Sequence, residues 1–139
     1  MLVVVDTNVM LSALARQSPT APLFRAMANG ELKLALTAAI VLEYEEIAAC
    51  RGGPAFSARL MHWLSLVATA WNTVVLVQPS YQFRLISSDP DDNKFADCAI
   101  TANADFLITN DTDYDSMVGS GYKPQPIKPE GFIARYLKS

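Results

Sequence analysis

The stretch "DDNKFADCAITANADFLITND", residues 91–111, decides the fold. Its first half carries Phe95, Ala96 and Ala99 at helical spacing, and Asp92 to about Asn103 reads as a helix. Its second half holds a short apolar run, "DFLIT", followed within two residues by Asp111. A helix feeding an apolar strand is one unit of a parallel sheet. The chain opens the same way. "LVVVD", residues 2–6, is a continuous β-branched run without alternation, the pattern of a strand covered on both faces, and it too ends in a carboxylate. Parallel sheets bind ligands beyond the carboxyl ends of their strands, where the strand order reverses. If these two strands are neighbours, Asp6 and Asp111 face one crevice.

Working outward, strands and helices alternate along the whole chain. "TNVMLSALAR" turns helical after Asp6. "PTAPLFRAMANGEL" reads as a second helix, with Thr20 at the cap position, Pro22 in the first turn and Asn29-Gly30 at the end. "LKLAL" is a strand. Thr37 opens a third helix through about Ala49, closed by "RGGP". Phe56 to about Trp71 is a long helix with Leu60, Trp63, Leu64 and Val67 on one stripe, followed by the strand "TVVLV". The three prolines of "PQPIKP" (Pro124, Pro126, Pro129) confine the strand there to a sheet edge, and "EGFIARYL" is a terminal helix. Asp113 and Asp115 resemble helix-starting residues. The expected fold is α/β, a three-layer sandwich around a central, mostly parallel sheet of four to five strands, with residues 1–139 forming a single domain.

The totals agree. At 139 residues and 51% hydrophobic, the chain can bury a sizeable core without staples. A net charge of −3 offers no electrostatic lure for nucleic acid and counts against a simple DNA-binding module. Cys50 and Cys98 form no CxxC, lie beside small residues in helix-like stretches, and read as reduced packing residues. The first residues lack a basic n-region and a cleavage site, and the longest apolar runs are about half a membrane span, so a cytoplasmic location and no membrane contact are expected.

The charge is unevenly spread. Eight of the fourteen acidic residues lie at Asp89, Asp91, Asp92, Asp97, Asp105, Asp111, Asp113 and Asp115, with Lys94 the lone base among them. Asp89 and Asp91 bracket Pro90 as turn residues, and Asp105 begins the strand turn. Asp92 and Asp97 lie about 140° apart around a helix and do not share a face. Asp92 precedes the Phe95, Ala96, Ala99 stripe and stands where an N-cap would. In "TAAIVLEYEEIAA", the apolar stripe is Ile40, Val41, Tyr44, Ile47 and Ala48. Glu46 falls opposite it, whereas Glu43 and Glu45 flank it equally, so periodicity alone leaves these two tied.

Carboxylates gathered in one cleft repel, and a hard divalent cation removes the conflict. Mg²⁺ or Mn²⁺ on oxygen ligands activates water for attack on phosphorus, chemistry that needs no histidine. The one histidine, His62, lies in the long helix beside Trp63, and no phosphate loop, dinucleotide turn or zinc-type Cys/His set is present.

Three segments together, "VVVDTNVMLSAL", "LTAAIVLEYEEI" and "DPDDNKFADCAITANADFLITND", resemble the PIN-domain family in order and spacing, and its toxin-like VapC-type members most. The resemblance runs from Leu2 to about Asp115. It implies that Asp6, Glu43, Asp92 and Asp111 bind one or two Mg²⁺ or Mn²⁺ ions and form the catalytic set. It breaks the tie in favour of Glu43, six residues after Thr37 at the helix start. It assigns Asn8 to orient a carboxylate and Thr109 as the partner of Asp111. Asp92 to Asp111 spans nineteen residues, slightly longer than the commoner toxin spacing, yet Asp92 fits better than Asp97 because Phe95, Ala96 and Ala99 then fall on packing positions. Asp97 is left as a further ligand through water and Asp113 as an outer-sphere residue.

The implied activity is metal-dependent endoribonuclease hydrolysis of RNA phosphodiester bonds, with the bound cations offsetting the protein's acidity at the scissile phosphate. Arg16, Arg25 and Lys94 are the candidate RNA-backbone contacts. The resemblance further implies a homodimer and a small antitoxin partner, with Leu23, Phe24 and Met27 offered either to that partner or to the core. Two competing readings are a catalytically silent scaffold of the same fold and a haloacid-dehalogenase-type phosphatase. The latter wants a second Asp where Asn8 stands.

Overall fold

The computed structural model describes residues 1–15, 17–79, 83–84, 86 and 92–137. Arg16 and the turn expected at Asp89, Pro90 and Asp91 lie outside the described residues. In chain order the elements are β1 (Leu2–Val5), α1 (Thr7–Ala13), α2 (Ala21–Ala28), β2 (Lys33–Leu36), α3 (Ala38–Thr69) and β3 (Val74–Leu76). Then come α4 (Asn93–Thr101), β4 (Phe106–Ile108), a 3-10 helix (Thr112–Met117), β5 (Gln125–Ile127) and α5 (Pro129–Tyr136).

The strands form one sheet in the order β3-β2-β1-β4-β5, and every pairing is parallel. Val3, Val4 and Val5 are all buried, as are Leu34, Ala35 and Leu36 on β2 and Leu107 and Ile108 on β4. Successive strand residues point to opposite faces, so burial without alternation means that helices cover both. Each buried valine or leucine contributes about 1.5–3 kcal/mol over its exposed state. The edge strands differ. Pro126 sits in β5, where its missing N–H costs no ladder bond on the open side. At the other edge Leu76 on β3 is 77% exposed.

The sheet order places the site. β1 is followed by β2 and β3 on one side and by β4 and β5 on the other, so strand order reverses between β1 and β4. Their register is Val3 with Phe106, Val4 with Leu107 and Val5 with Ile108. Asp6 and Thr109 therefore emerge side by side.

Several boundaries differ from expectation. α1 stops at Ala13, short of Arg16. The two helices expected around "RGGP" are limbs of α3, broken where Gly53 takes φ 81°, ψ 178°. Pro54 begins the second limb, and Ser57 Oγ donates to the Glu45 carbonyl at 3.1 Å, so the second limb folds back on the first. A Cβ on Gly52 would lie 2.7 Å from Phe56 Cβ, which is why the turn needs a glycine there. Thr37 caps α3 as expected, accepting from Ile40 N at 3.2 Å. Thr20 does not cap α2 with its side chain; its hydroxyl instead meets Ser12 and Ser18, each at 2.8 Å. Leu23 and Met27 are core residues, and Phe24 stacks on Trp63 with ring centroids 3.7 Å apart. That packing accounts for all three and removes Leu23 and Met27 from partner contact. Cys98 is buried as expected, but Cys50 is exposed on the first limb of α3. Among the described residues, no helix is long and apolar enough to cross a membrane.

Candidate metal centre

The centre is built where the β1–β4 ladder runs out. Asp6 N still donates to Ile108 O at 3.0 Å, which holds the residue in line with the sheet. Its backbone is extended, so the carboxylate turns back over the start of α1 and Oδ1 accepts from Thr7 N at 2.8 Å. Oδ2 accepts from Thr109 Oγ1 at 2.8 Å. The same Thr109 hydroxyl accepts from Asp111 N at 2.9 Å. Asp111 in turn caps the 3-10 helix, its Oδ1 accepting from Asp113 N at 2.9 Å. One buried hydroxyl thus sets the relative position of two carboxylates that are 105 residues apart.

α3 and α4 supply the rest. Tyr44, wholly buried, donates its hydroxyl to the Val5 carbonyl and pins α3 to the end of β1. One residue earlier, Glu43 Oε2 accepts from the Thr7 hydroxyl, and Oε1 pairs with Lys94 Nζ at 2.7 Å. Glu45 and Glu46 are exposed, so α3 presents only Glu43 to the site. Asp92 stands at the N-cap of α4 but makes no side-chain capping bond. Its backbone carbonyl accepts from the buried Tyr114 hydroxyl at 3.3 Å. Carboxylate oxygens of Asp92, Asp111 and Asp113 all lie within 4.8 Å of one another.

This concentration of negative charge shows in the neighbouring acidities. Burial raises the Asp6 carboxyl above its ordinary value, and the charges of Asp111 and Glu43 raise it further against the lowering bonds from Thr109 and Thr7. Burial, then the charges of Asp6, Asp92 and Asp111, push the Tyr114 hydroxyl far up, so it stays protonated and remains a donor. Tyr44 is raised likewise by burial and then by Asp6. Among the described residues, the ion pair made within this group of carboxylates (Asp6, Glu43, Asp92, Asp111 and Asp113) is that of Glu43 with Lys94. A centre of close carboxylate oxygens on fixed backbone suits a hard divalent cation and not a soft metal.

All four residues named as ligands converge here. Thr109 is the partner of Asp111, as expected, and is also the clamp on Asp6. Asp113, expected as an outer-sphere residue, brings a carboxylate oxygen within 4.8 Å of those of Asp92 and Asp111. Asp97 is not in that group: it is 7% exposed, burial raises its carboxyl, and its Oδ1 accepts from Phe83 N at 3.0 Å. Asn8 is exposed, and the bonds to the carboxylates of Asp6 and Glu43 come from Thr7, Thr109 and Lys94. Arg25 lies on α2 in a groove against α5, lined also by Ile133 and Leu137, apart from the acidic centre. Sequence reasoning missed the Thr7 bridge and the Lys94–Glu43 pair, because contacts 36 and 51 residues apart leave no periodic signal.

Comparison with known proteins fits this geometry. The overall fold is similar to one chain of a crystal structure of VapBC2 from Rickettsia felis bound to a DNA fragment from their promoter. The TM-score is 0.59 at 14% identity, covering 91% of this chain and 98% of that one. No curated protein sequence matches the chain. The family model described as PIN domain matches residues 2–113, the span that contains every carboxylate of the centre, and the chain belongs to the PIN domain family.

Proposed function

We propose that the chain is a metal-dependent endoribonuclease that hydrolyses RNA phosphodiester bonds, and that it is the toxin of a toxin–antitoxin pair. The observation that carries the proposal is the convergence of Asp92, Asp111 and Asp113 within 4.8 Å at the carboxyl ends of β1 and β4, beside the clamped Asp6 and Glu43. Membership in the PIN domain family supports a nuclease reading. The similarity in fold to a chain of a VapBC2 structure supports an antitoxin as partner.

Asp92, Asp111 and Asp113 would hold Mg²⁺ or Mn²⁺, with Asp6 and Glu43 completing the acidic set directly or through water. Such an ion polarises a phosphoryl oxygen and lowers the pKa of water beside it. The chain's own residues do the positioning. Thr109 and Thr7 fix both oxygens of Asp6, so this carboxylate needs no reorganisation when a cation or phosphate arrives. Tyr114 ties the start of α4, and with it Asp92, to the 3-10 helix that carries Asp113. The 3-10 helix holds Asp111 and Asp113 in one turn.

The test is RNA cleavage with Mg²⁺ or Mn²⁺ by the parent and by Asp111→Asn, read as new 5′ ends. Cleavage should fall by at least about a hundredfold in the variant, the low end for removing a group that acts in the transition state. Equal rates in the two proteins would refute the assignment. Saturable Mn²⁺ binding separates this reading from a silent scaffold.

A further inference from the structure

The Lys94–Glu43 pair is not an ordinary surface ion pair. The side chains are only 27% and 21% exposed, and the partners come from different helices. Glu43 is occupied at both oxygens, by Lys94 on Oε1 and by the Thr7 hydroxyl on Oε2. Thr7 N in turn binds Asp6, so the ammonium sits at one end of a bonded series running from Lys94 through Glu43 and Thr7 to Asp6, Thr109 and Asp111. Lys94 lies two residues after Asp92, so α4 delivers a carboxylate and a cation to the same crevice from its first turn.

Two-metal phosphodiester centres place two divalent ions about 3.5–4 Å apart, and holding both takes more carboxylate oxygens than a single ion needs. Here Asp92, Asp111 and Asp113 offer one such group of oxygens, while Glu43 is already matched to an ammonium. A divalent ion on Glu43 would have to displace Lys94 or tolerate a positive charge against the shared oxygen. We infer that Lys94 is the centre's built-in second cation. It neutralises Glu43, leaves room for one divalent ion among Asp92, Asp111 and Asp113, and presents a fixed positive charge to the phosphate of the bound RNA.

Lys94 is thereby a positioning and charge-supplying residue anchored on Glu43, which in the parent protein reaches the divalent ion through water at most. This inference rests on the nuclease reading of the centre, and the experiment separates the two. Mn²⁺ is titrated into the parent, Lys94→Gln and Lys94→Arg, and bound ions are counted by calorimetry and by electron paramagnetic resonance; thermal melting checks that each variant is folded. The parent and Lys94→Arg should each bind about one ion per chain. Lys94→Gln should bind about two, because the freed Glu43 then serves a second ion of the kind that two-metal centres use. A parent that binds two ions overturns the inference and leaves the nuclease reading standing. A count of one in Lys94→Gln also overturns it. A parent that binds none overturns the metal centre itself.

Discussion

Thr109→Val tests how far one hydroxyl holds the centre together. The Thr109 side chain is buried, donating to Asp6 Oδ2 at 2.8 Å and accepting from Asp111 N at 2.9 Å. Valine fills nearly the same space and removes only the polar atom. A hydrogen bond to an ionised carboxylate is worth about 1.5–3 kcal/mol and a neutral one about 1 kcal/mol. With Thr109 at 3% exposure, water has no path to replace either, so the loss is about 3 kcal/mol. For 139 residues at roughly 2.1 cal/mol/K each, 1 kcal/mol shifts the melting temperature by about 3.5 °C. The variant should therefore melt about 10 °C below the parent by calorimetry at pH 7 without divalent ions. Thr109→Ser keeps the hydroxyl and loses one methyl, about 0.8 kcal/mol, so it should lose only about 3 °C. Cleavage should fall in the valine variant and largely persist in the serine variant. If valine and serine melt together, or valine melts within about 2 °C of the parent, the clamp argument is wrong.

Asp6→Asn should abolish cleavage while melting at neutral pH is unchanged or raised. Burial first, and then the charges of Asp111 and Glu43, raise the native Asp6 carboxyl above 3.8, so the native state holds this proton more tightly than the unfolded chain. That contribution to stability is complete below pH about 3.8 and is lost as pH rises through the native value. The advantage of the Asn variant should grow with pH across a series of melts, and a shrinking advantage would contradict the assigned shift. Gly53→Ala meets no atom within 4 Å but must adopt φ +81°, a region held almost only by glycine. It should destabilise by about 1–3 kcal/mol in denaturant titration and leave cleavage of the residual folded protein intact. An unchanged midpoint would mean that the helix break relaxes.

The parts legible in the sequence are those with local causes. β1 and β4 announce themselves as unbroken apolar runs, and the carboxylates after them follow from chain order. The sheet neighbours of β1 were an assumption that the register of Val5 with Ile108 makes good. Glu43 could not be separated from Glu45 by periodicity, because both flank the stripe; the family resemblance favoured Glu43, and the physical distinction lies in the Thr7 and Lys94 contacts, which belong to the tertiary structure. Asp92 looked most like a helix cap, and the absence of a capping bond from its side chain shows why that local reading fails. Asn8 and Thr7 are adjacent polar residues, and which one turns inward depends on where α1 starts relative to the sheet, a fact that no composition rule contains. Leu23 and Met27 were equally compatible with a partner or the core, since apolarity says nothing of what covers it.

The fold-back of α3 has a practical side. A straight helix of 32 residues would extend about 48 Å, well beyond the sheet. The Gly52–Gly53 turn instead makes a short hairpin whose first limb carries Glu43 and, about 10 Å further along the axis, Cys50. Cys50 is exposed, whereas the Cys98 thiol is buried and pushed up to about 12, so a maleimide dye at neutral pH will attach at one place only. The protein thus carries a native handle for fluorescence, close enough to sense a ligand arriving at the crevice and outside the bonded series that shapes it.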